Sequence, residues 1–418
     1  MTSTKLAPLT HPGMRRLLLS TLVSAAGDAF LLVALPFAVL EISDAPSALG
    51  IVLAAHTVAL VVFMLPGGLV GDRRSPTATL LLTDVVRVCT QAAAAALVLT
   101  GTASVWALAV VYAVHGAASA FHFPTSRAVI TQLVPKDAVQ SATALLSITY
   151  STAMILGPLA GGLAVAWWSP GTAIALDAFS FLLSAVLISG LGVRRPRSAS
   201  ASGSMWKEAF GGFAQVRARR WLALGLCHAA LFQCFAVAPN QVLGPLISHA
   251  DYGGSGDWAL LLSVASCGHL VGGLMAVKVT PSRPLAAVFV SAALAGPVLV
   301  ALGAAVSFAV PLVLMGLYGV AISYADTVWH SVIQRWLPGE FLGRVFAIDG
   351  LISLGLRPVA ITAVAAVGSW WGVHEAALVG GLATVVLSAV LLAFPTSRGR
   401  GESHESDRQV PAEVQESA

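Results

Sequence analysis

The chain has 418 residues, of which 57% are hydrophobic and only 10% charged, with a formal net charge of +4. An ordinary soluble domain carries about 25% charged residues, and a water-soluble fold of this length could not hide so much apolar surface. A soluble globular protein is therefore excluded, and the solvent for most of this chain is lipid.

In lipid every backbone N–H and C=O must be paired internally, which leaves helices or closed barrels. The apolar runs match the about 20 residues of a spanning helix and exceed the roughly 9–11 of a barrel strand. In chain order the spans are predicted at 16–41, 46–71, 76–100, 103–127, 138–166, 171–193, 221–247, 256–278, 283–306, 309–336, 344–369 and 374–395. The first run, Leu17 to Leu40, is too long for a signal-peptide core and lacks a small-residue cleavage site. The expected fold class is an all-α membrane protein of twelve transmembrane helices. The charged tail 397–418 is expected to be disordered.

Basic residues fall in every second connector: Arg73 and Arg74, Lys136, Arg194 to Arg220, Lys278 and Arg283, Arg335 and Arg344. The connectors around Ser43, Thr100, Ser169, Asp251, Ser307 and Trp370 carry no Lys or Arg. Positive charge stays on the cytoplasmic side, so both termini are expected inside, in a prokaryotic cell (inner) membrane. The basic residues are spread over helix ends rather than gathered in a patch, so no nucleic-acid partner is expected. Cys89, Cys227, Cys234 and Cys267 all lie in apolar runs without CxxC spacing, which argues against a metal or redox role.

The longest connector, 194–220, divides two groups of six spans. Trp206, Phe210 and Phe213 recur there at helical spacing beside Lys207 and Arg217, which predicts an amphipathic interfacial helix. The two groups read as copies. Segments 67–76 (GGLVGDRRSP) and 272–281 (GGLMAVKVTP) correspond, as do 128–137 (AVITQLVPKD) and 331–340 (SVIQRWLPGE). Six crossings per copy give both copies one orientation, the arrangement of transporters built from parallel repeats. The expected domains are 1–193, a six-helix half; 194–220, a cytoplasmic linker; 221–396, the second half; and the tail 397–418.

Two motifs make the likeness specific. Gly68-Leu69-Val70-Gly71-Asp72-Arg73 resembles the G-x-x-x-D-R loop signature of the major facilitator superfamily. Gly157-Pro158-Leu159-Ala160-Gly161-Gly162 resembles the G-P-x-x-G-G signature of its antiporters. Segments around Phe123-Pro124, Leu133-Val134-Pro135, Thr83 to Arg87 and Leu176 to Phe181 are similar to the branch of macrolide and siderophore exporters. The resemblance implies two pseudo-symmetric six-helix halves rocking about a midplane site. It makes Gly68, Asp72 and Arg73 a conformational latch and Gly157, Pro158, Gly161 and Gly162 a flexible close contact between halves. Departures are Ser75-Pro76-Thr77 in place of a further Gly and basic pair, and Val277 where the second copy lacks the carboxylate. Ordinary close packing of small residues is the competing account of the glycines.

Charged side chains at mid-membrane cost on the order of 2.5–3.5 kcal/mol, so each needs a partner, a wet cavity or a proton. Asp28 lies mid-way along the first span with no cation one turn away, and is the first candidate for proton coupling. Asp326 and His330, at i and i+4, can share one face and one proton. Asp177 and His115 follow. For each the competing role is a hydrogen-bonded structural side chain, as for His56, His228 and His269. Asp84 and Arg87 at i, i+3 predict a local structural pair. Arg357 must find a carboxylate across a helix interface, with Asp28 and Asp326 as candidates.

By the family pattern the first, fourth, seventh and tenth spans line the cavity. The seventh brings Gln233, Asn240 and Gln241, the tenth Tyr318 and Tyr324, and Arg357 is added from the eleventh. Few polar groups among apolar walls suit an amphipathic organic molecule. There is no G-x-x-x-x-G-K-[ST] loop, so no nucleotide drives transport within the chain, and neither cofactor nor metal is expected. No paired catalytic carboxylates or nucleophile–base spacing suggests an enzyme. The expected partners are a small-molecule substrate, protons and the lipid bilayer, with the chain monomeric. The reading is proton-coupled export of a drug, antibiotic or secondary metabolite. An uptake or facilitative permease of the same fold, and a non-transporting membrane sensor, stay open.

Overall fold

The computed structural model describes residues 7–73, 75–135, 138–191 and 216–394. Twelve of its helices are long and apolar enough to cross a membrane. They are α1 (Pro12–Leu40), α2 (Pro46–Arg73), α3 (Pro76–Leu99), α4 (Val105–Leu133), α5 (Val139–Trp167) and α6 (Pro170–Ser189), followed by α7 (Arg220–Asp251), α8 (Ser255–Lys278), α9 (Pro284–Gly303), α10 (Ala309–Trp336), α11 (Gly339–Gly355 and, after Leu356, Arg357–Trp371) and α12 (Val373–Ala393). The expected fold class holds. The amphipathic segment 206–213 and the tail from 397 lie outside the described residues.

Local chemistry explains where these helices begin. Prolines open α1, α2, α3, α6 and α9, at the position where a missing N–H costs nothing and φ is already helical. Serine caps two of the helices, one of them also opened by a proline: Ser104 Oγ accepts from Ala107 N–H at 3.2 Å ahead of α4. Ser169 Oγ does the same for Thr172 N–H at 3.1 Å ahead of α6. Several boundaries differ from the periodicity reading. α1 starts at Pro12 rather than 16, α4 runs on to Leu133 rather than 127, α7 to Asp251 rather than 247, and α11 starts at Gly339 rather than 344, because the apolar pattern fades before the backbone hydrogen bonding does. Trp106, Trp167, Trp168, Trp370 and Trp371 are all exposed and all lie at the ends free of Lys and Arg. That is the position of an interfacial aromatic belt.

The chain divides into two packed units. One holds Met1–Ser200, Gln241–Ser266 and Arg357–Ala376; the other holds Ala201–Asn240, Cys267–Leu356 and Ala377–Ala418. These units run across the two halves expected from the repeat. The first unit therefore contains α1–α6 together with the Lys/Arg-free ends of α7, α8 and α11. In α7 the boundary follows a π-helical turn at Gln233–Val237; in α11 it coincides with the break at Leu356 that precedes Pro358. A wide turn and a proline both interrupt the i→i−4 ladder.

Inside the first unit, contacts at the Lys/Arg-free end are made by small residues. A Cβ on Gly50 of α2 would overlap the Ala365 side chain of α11, and Ser47 N–H donates to Ser369 Oγ at 3.2 Å. Trp258 Nε1 on α8 donates to the Leu32 carbonyl of α1 at 3.4 Å. The other end of this unit is closed by an apolar cluster of Met14, Leu17, Leu80, Val129, Ile130 and Ile188. The second unit is built around Trp221, Leu222, Phe289, Tyr324, Trp329 and Ile333, with Gly225 making room for the Trp329 ring.

Candidate functional site

The buried face of α3 is polar. Thr79, Thr83, Asp84, Arg87, Thr90 and Gln91 all point inward among the helices of the first unit, the reverse of a surface helix in water. Two neighbours answer it with stripes of the same period: His115, Ser119 and His122 on α4, and Asp177, Ser180 and Ser184 on α6. Period 3.6 puts residues at i, i+3 or i+4, and i+7 on one face, so these three stripes meet inside the bundle. Such groups are retained in an apolar interior only when they partner one another or face water.

The contacts run along α3 from Gln91 to Asp84. Near Gln91, its Nε2 donates to Asp177 Oδ2, and Tyr112 OH donates to Gln91 Oε1 at 3.1 Å. Ser180 Oγ lies 3.2 Å from Asp177 Oδ1. Glycine allows this approach: a Cβ on Gly27 of α1 would strike Asp177 Oδ1 and Ser180 Oγ. One turn further, Thr90 Oγ1 lies 3.3 Å from His115 Nδ1, and the His115 ring sits 5.7 Å from both His56 and Phe181. Arg87 then donates from Nη2 to Ser119 Oγ at 3.0 Å and lies with its Cζ 4.9 Å from the Phe181 ring centre. Its Nη1 is 4.0 Å from Asp28 Oδ2. Finally Ser184 Oγ donates to Asp84 Oδ2 at 2.7 Å. His122 Nδ1 approaches Asp84 Oδ1 at 3.4 Å and Thr83 Oγ1 at 3.2 Å.

Several expectations change here. Asp84 and Arg87 act on each other electrostatically, as the i, i+3 spacing suggested, but their closest contacts lie elsewhere. Each finds its partner across a helix interface, Asp84 at His122 and Ser184, Arg87 at Asp28 and Ser119. The cation beside Asp28 is Arg87 rather than Arg357. Arg357 opens the second segment of α11, near enough to His56 to act on it electrostatically. Exposure separates the acids: 37% of the Asp28 side chain is exposed against 0% for Asp84.

Asp177 and His115, foreseen from sequence, belong to this network. Gln91, Tyr112, Ser119, His122 and Ser184 are passed over by sequence reasoning that looks for isolated charges. The detectable signal is the periodic polar stripe on α3, α4 and α6.

The antiporter-like segment of α5 also packs in this unit. Cβ atoms on Gly157 and Gly161 would strike Ala29 and Phe30 of α1, while one on Gly162 would strike Ala259 of α8. Pro158 is buried within the helix. The motif therefore sits one turn from Asp28 on one side and against α8 on the other. Gly68, Asp72 and Arg73 lie within α2, which stays helical to Arg73 rather than entering a loop at 71; their side chains are outside those described.

The second unit holds a smaller acidic group. His330 does sit one turn from Asp326, but its Nε2 lies 3.7 Å from Asp349 Oδ2 on α11, and Trp329 Nε1 donates to Asp349 Oδ1 at 2.9 Å. Asp349 is a further residue that sequence reasoning missed. Of the candidate cavity residues here, Gln233 begins the π-helical turn, and Asn240 Nδ2 is 3.9 Å from Met315 Sδ. The Tyr318 ring packs edge-on 6.3 Å from His269. Tyr324 departs from the expected lining role: it is buried in the apolar cluster, its hydroxyl 3.4 Å from the Val279 carbonyl. Gln241 belongs to the first unit, at mid-length of α7. His228 packs against Phe289, ring centres 4.7 Å apart.

The family model described as Major Facilitator Superfamily matches residues 17–352. Among curated proteins, the chain is 23% identical over 292 residues to macrolide efflux protein A of Streptococcus pyogenes, covering 68% of this chain and 72% of that protein. It is 24% identical over 265 residues to macrolide efflux protein A of Enterococcus faecalis, covering 62% and 81%. An uncharacterized transporter of the superfamily from Bacillus subtilis (strain 168) is 23% identical over 418 residues, covering 91% and 92%. Among solved structures, the nucleoside transporter NupG superposes with a TM-score of 0.73 at 12% identity, covering 91% of this chain and 98% of that one. A bacterial homolog of the human lysosomal transporter Spinster superposes at 0.69 and 13%, covering 96% and 99%. At these identities the structural likeness concerns the fold.

Proposed function

Given that the chain belongs to the Major Facilitator Superfamily, we propose that it exports an amphipathic organic compound from a prokaryotic cell in exchange for protons. The observation that carries this reading is the Asp28–Arg87 pair. It joins a partly exposed carboxylate on α1 to a buried guanidinium on α3 inside an otherwise apolar bundle. A proton arriving on Asp28 cancels its attraction for Arg87, and its departure restores it. Pair formation thus reports proton occupancy to the helices that carry the two side chains.

The Gly157–Gly162 segment supports exchange as the mode. It places the α1 turn bearing Asp28 in direct contact with α5, whose next glycine meets α8. A change at Asp28 can therefore reach both contacts through close-packed backbone. The relatives named as macrolide efflux proteins support a bulky, largely apolar substrate.

The test is a susceptibility panel in an efflux-deficient host carrying the native chain, Asp28→Asn or Arg87→Gln. The native chain is expected to raise macrolide resistance by about tenfold, a change of about 1.4 kcal/mol in the energy of maintaining the gradient, and both variants to lose it. In acid-loaded proteoliposomes, adding the macrolide should alkalinise the lumen with the native chain alone. If all strains match the empty host for every compound, export is the wrong reading; transport without proton movement points to a facilitative permease.

A further inference from the structure

The proposed coupling pair does not account for Asp84 and His122. We infer that His122 is a second proton-holding group of the exporter, and that Arg87 is shared between Asp28 and Asp84 according to where that proton sits. This inference rests on the antiport reading above.

The basis is a charge count in one network. Asp28 and Asp84 bring two carboxylates to Arg87, the guanidinium that faces Asp28 and lies one turn from Asp84 on the same face of α3. Counting Asp28, Asp84 and Arg87, two carboxylates and one guanidinium become neutral with one added proton. Asp177, the third carboxyl of the network, keeps the same partners, Gln91 and Ser180, in either placement of that proton and so drops out of the difference. Two placements achieve this. With the proton on Asp28, Arg87 is free to balance Asp84 and His122 is neutral. With the proton on His122, the imidazolium balances Asp84 and Arg87 balances Asp28. The distances correspond to the second placement: His122 Nδ1 is 3.4 Å from Asp84 Oδ1, and Arg87 Nη1 is 4.0 Å from Asp28 Oδ2.

The hydrogen bonds fit that placement. Thr83 Oγ1 gives its proton to the Leu80 carbonyl at 2.8 Å, so toward His122 Nδ1 it is an acceptor. Thr83 therefore receives from Nδ1–H, while Asp84 Oδ1 at 3.4 Å is an ion-pair contact without a hydrogen bond. Two buried atoms have no hydrogen-bond partner, Asp84 Oδ1 and Arg87 Nε, which leaves one acceptor and one N–H donor open to a rearranged contact. Neither proton-holding side chain is sealed off completely, 37% of Asp28 and 16% of His122 being exposed.

Other groups face this exchange without entering it. His56 comes from α2 and His115 from α4, their rings 5.7 Å apart. Tyr112 on α4 donates to Gln91, and Asp177 on α6 has an oxygen engaged by each of Gln91 and Ser180. No bond other than O–H and N–H is made or broken. The proton lost by Asp28 and the proton gained by His122 both pass through water, and the net count in the network stays at one.

The experiment uses the full chain in proteoliposomes with radiolabelled macrolide as the probe. It compares macrolide exchange at equal pH with accumulation driven by an imposed pH gradient. His122→Gln removes the proton-holding group, and His122→Lys fixes a cation beside Asp84. Both variants are expected to keep exchange within about twofold of the native rate and to lose gradient-driven accumulation by at least about tenfold. A thermal melt establishes folding. Native-like accumulation in either variant overturns the proposal, as does loss of exchange in folded protein or failure of both variants to fold. If the native chain itself exchanges macrolide but accumulates none under a gradient, antiport fails and this inference with it. If the native chain accumulates and His122→Gln does too, His122 alone is dismissed.

Discussion

Single residues in this chain have consequences set by what their neighbours lose. Gln91 is the clearest instance, because it serves Asp177 through its nitrogen and Tyr112 through its oxygen at a fully buried position. A side-chain hydrogen bond between membrane helices contributes about 0.6 kcal/mol on average, whereas each buried polar group left without a partner costs about 1–3 kcal/mol. Gln91→Leu strands two groups and should lower the melting temperature of the purified protein by several degrees. Tyr112→Phe strands only the Gln91 oxygen and should lower it less. Equal or inverted losses in the two melts would show that the network contributes nothing through satisfaction of buried groups. At this scale the sequence is informative about residue type and uninformative about partners. Asp28 stands out because it is charged and mid-span, but Arg87, its partner, is 59 positions away. The nearer partner suggested for Arg87, Asp84 at i−3, turns to α4 and α6 instead.

At the scale of whole elements, helix type and order are legible because lipid permits so little else. Contacts between helices are legible only where they are made by backbone and small side chains. Gly157, Gly161 and Gly162 announce a close approach in sequence, and the structure supplies the partners α1 and α8. Gly50 on α2 carries no such motif yet meets α11 as closely. The Gly162 contact with α8 and the Gly50 contact with α11 join elements from opposite sides of the internal repeat, and both must part if the two halves alternate. Replacing Gly162 by Leu inserts a side chain where Ala259 already stands, and overpacking of this kind costs typically about 1–3 kcal/mol. Gly162→Leu should abolish macrolide exchange in proteoliposomes while leaving a folded protein, with Gly162→Ala intermediate. The paired substitutions Ser47→Cys and Ser369→Cys, at positions already in hydrogen-bond contact between these helices, should crosslink under mild oxidation, halting exchange until reductant is added. Unimpeded exchange in the crosslinked protein would mean that α2 and α11 need not separate.

For the molecule as a whole, the strongest regularity is the one-sided distribution of charge, and it is open to direct test. Holding a Lys or Arg on the far side of the bilayer opposes the membrane potential by about 2.3 kcal/mol per charge per 100 mV, so an insertion pathway sorts connectors by their basic residues. Three of the six connectors free of Lys and Arg also carry the exposed tryptophans Trp106, Trp167, Trp168, Trp370 and Trp371, placing an interfacial belt at that end independently of the charge pattern. The division into packed units adds a feature that sequence symmetry hides. The repeat assigns α7, α8 and α11 wholly to the second copy, but their Lys/Arg-free ends pack with α1–α6. Repeats reflect how the chain is composed, while packing reflects which ends meet. Thr102 and Ser307 are exposed at the tryptophan-bearing end, Ala218 and Ser282 at the other. With Cys89, Cys227, Cys234 and Cys267 replaced, single cysteines at Thr102 and Ser307 should react with a membrane-impermeant maleimide in intact cells. Cysteines at Ala218 and Ser282 should react only after permeabilisation. The inverse pattern would turn the transporter around in the membrane, making Asp28 reachable from the opposite compartment and the proposed exchange one of uptake. A mixed pattern would mean that the alternation of charged connectors does not track the crossings, and the count of twelve spans would have to be revised before any mechanism could be built on it.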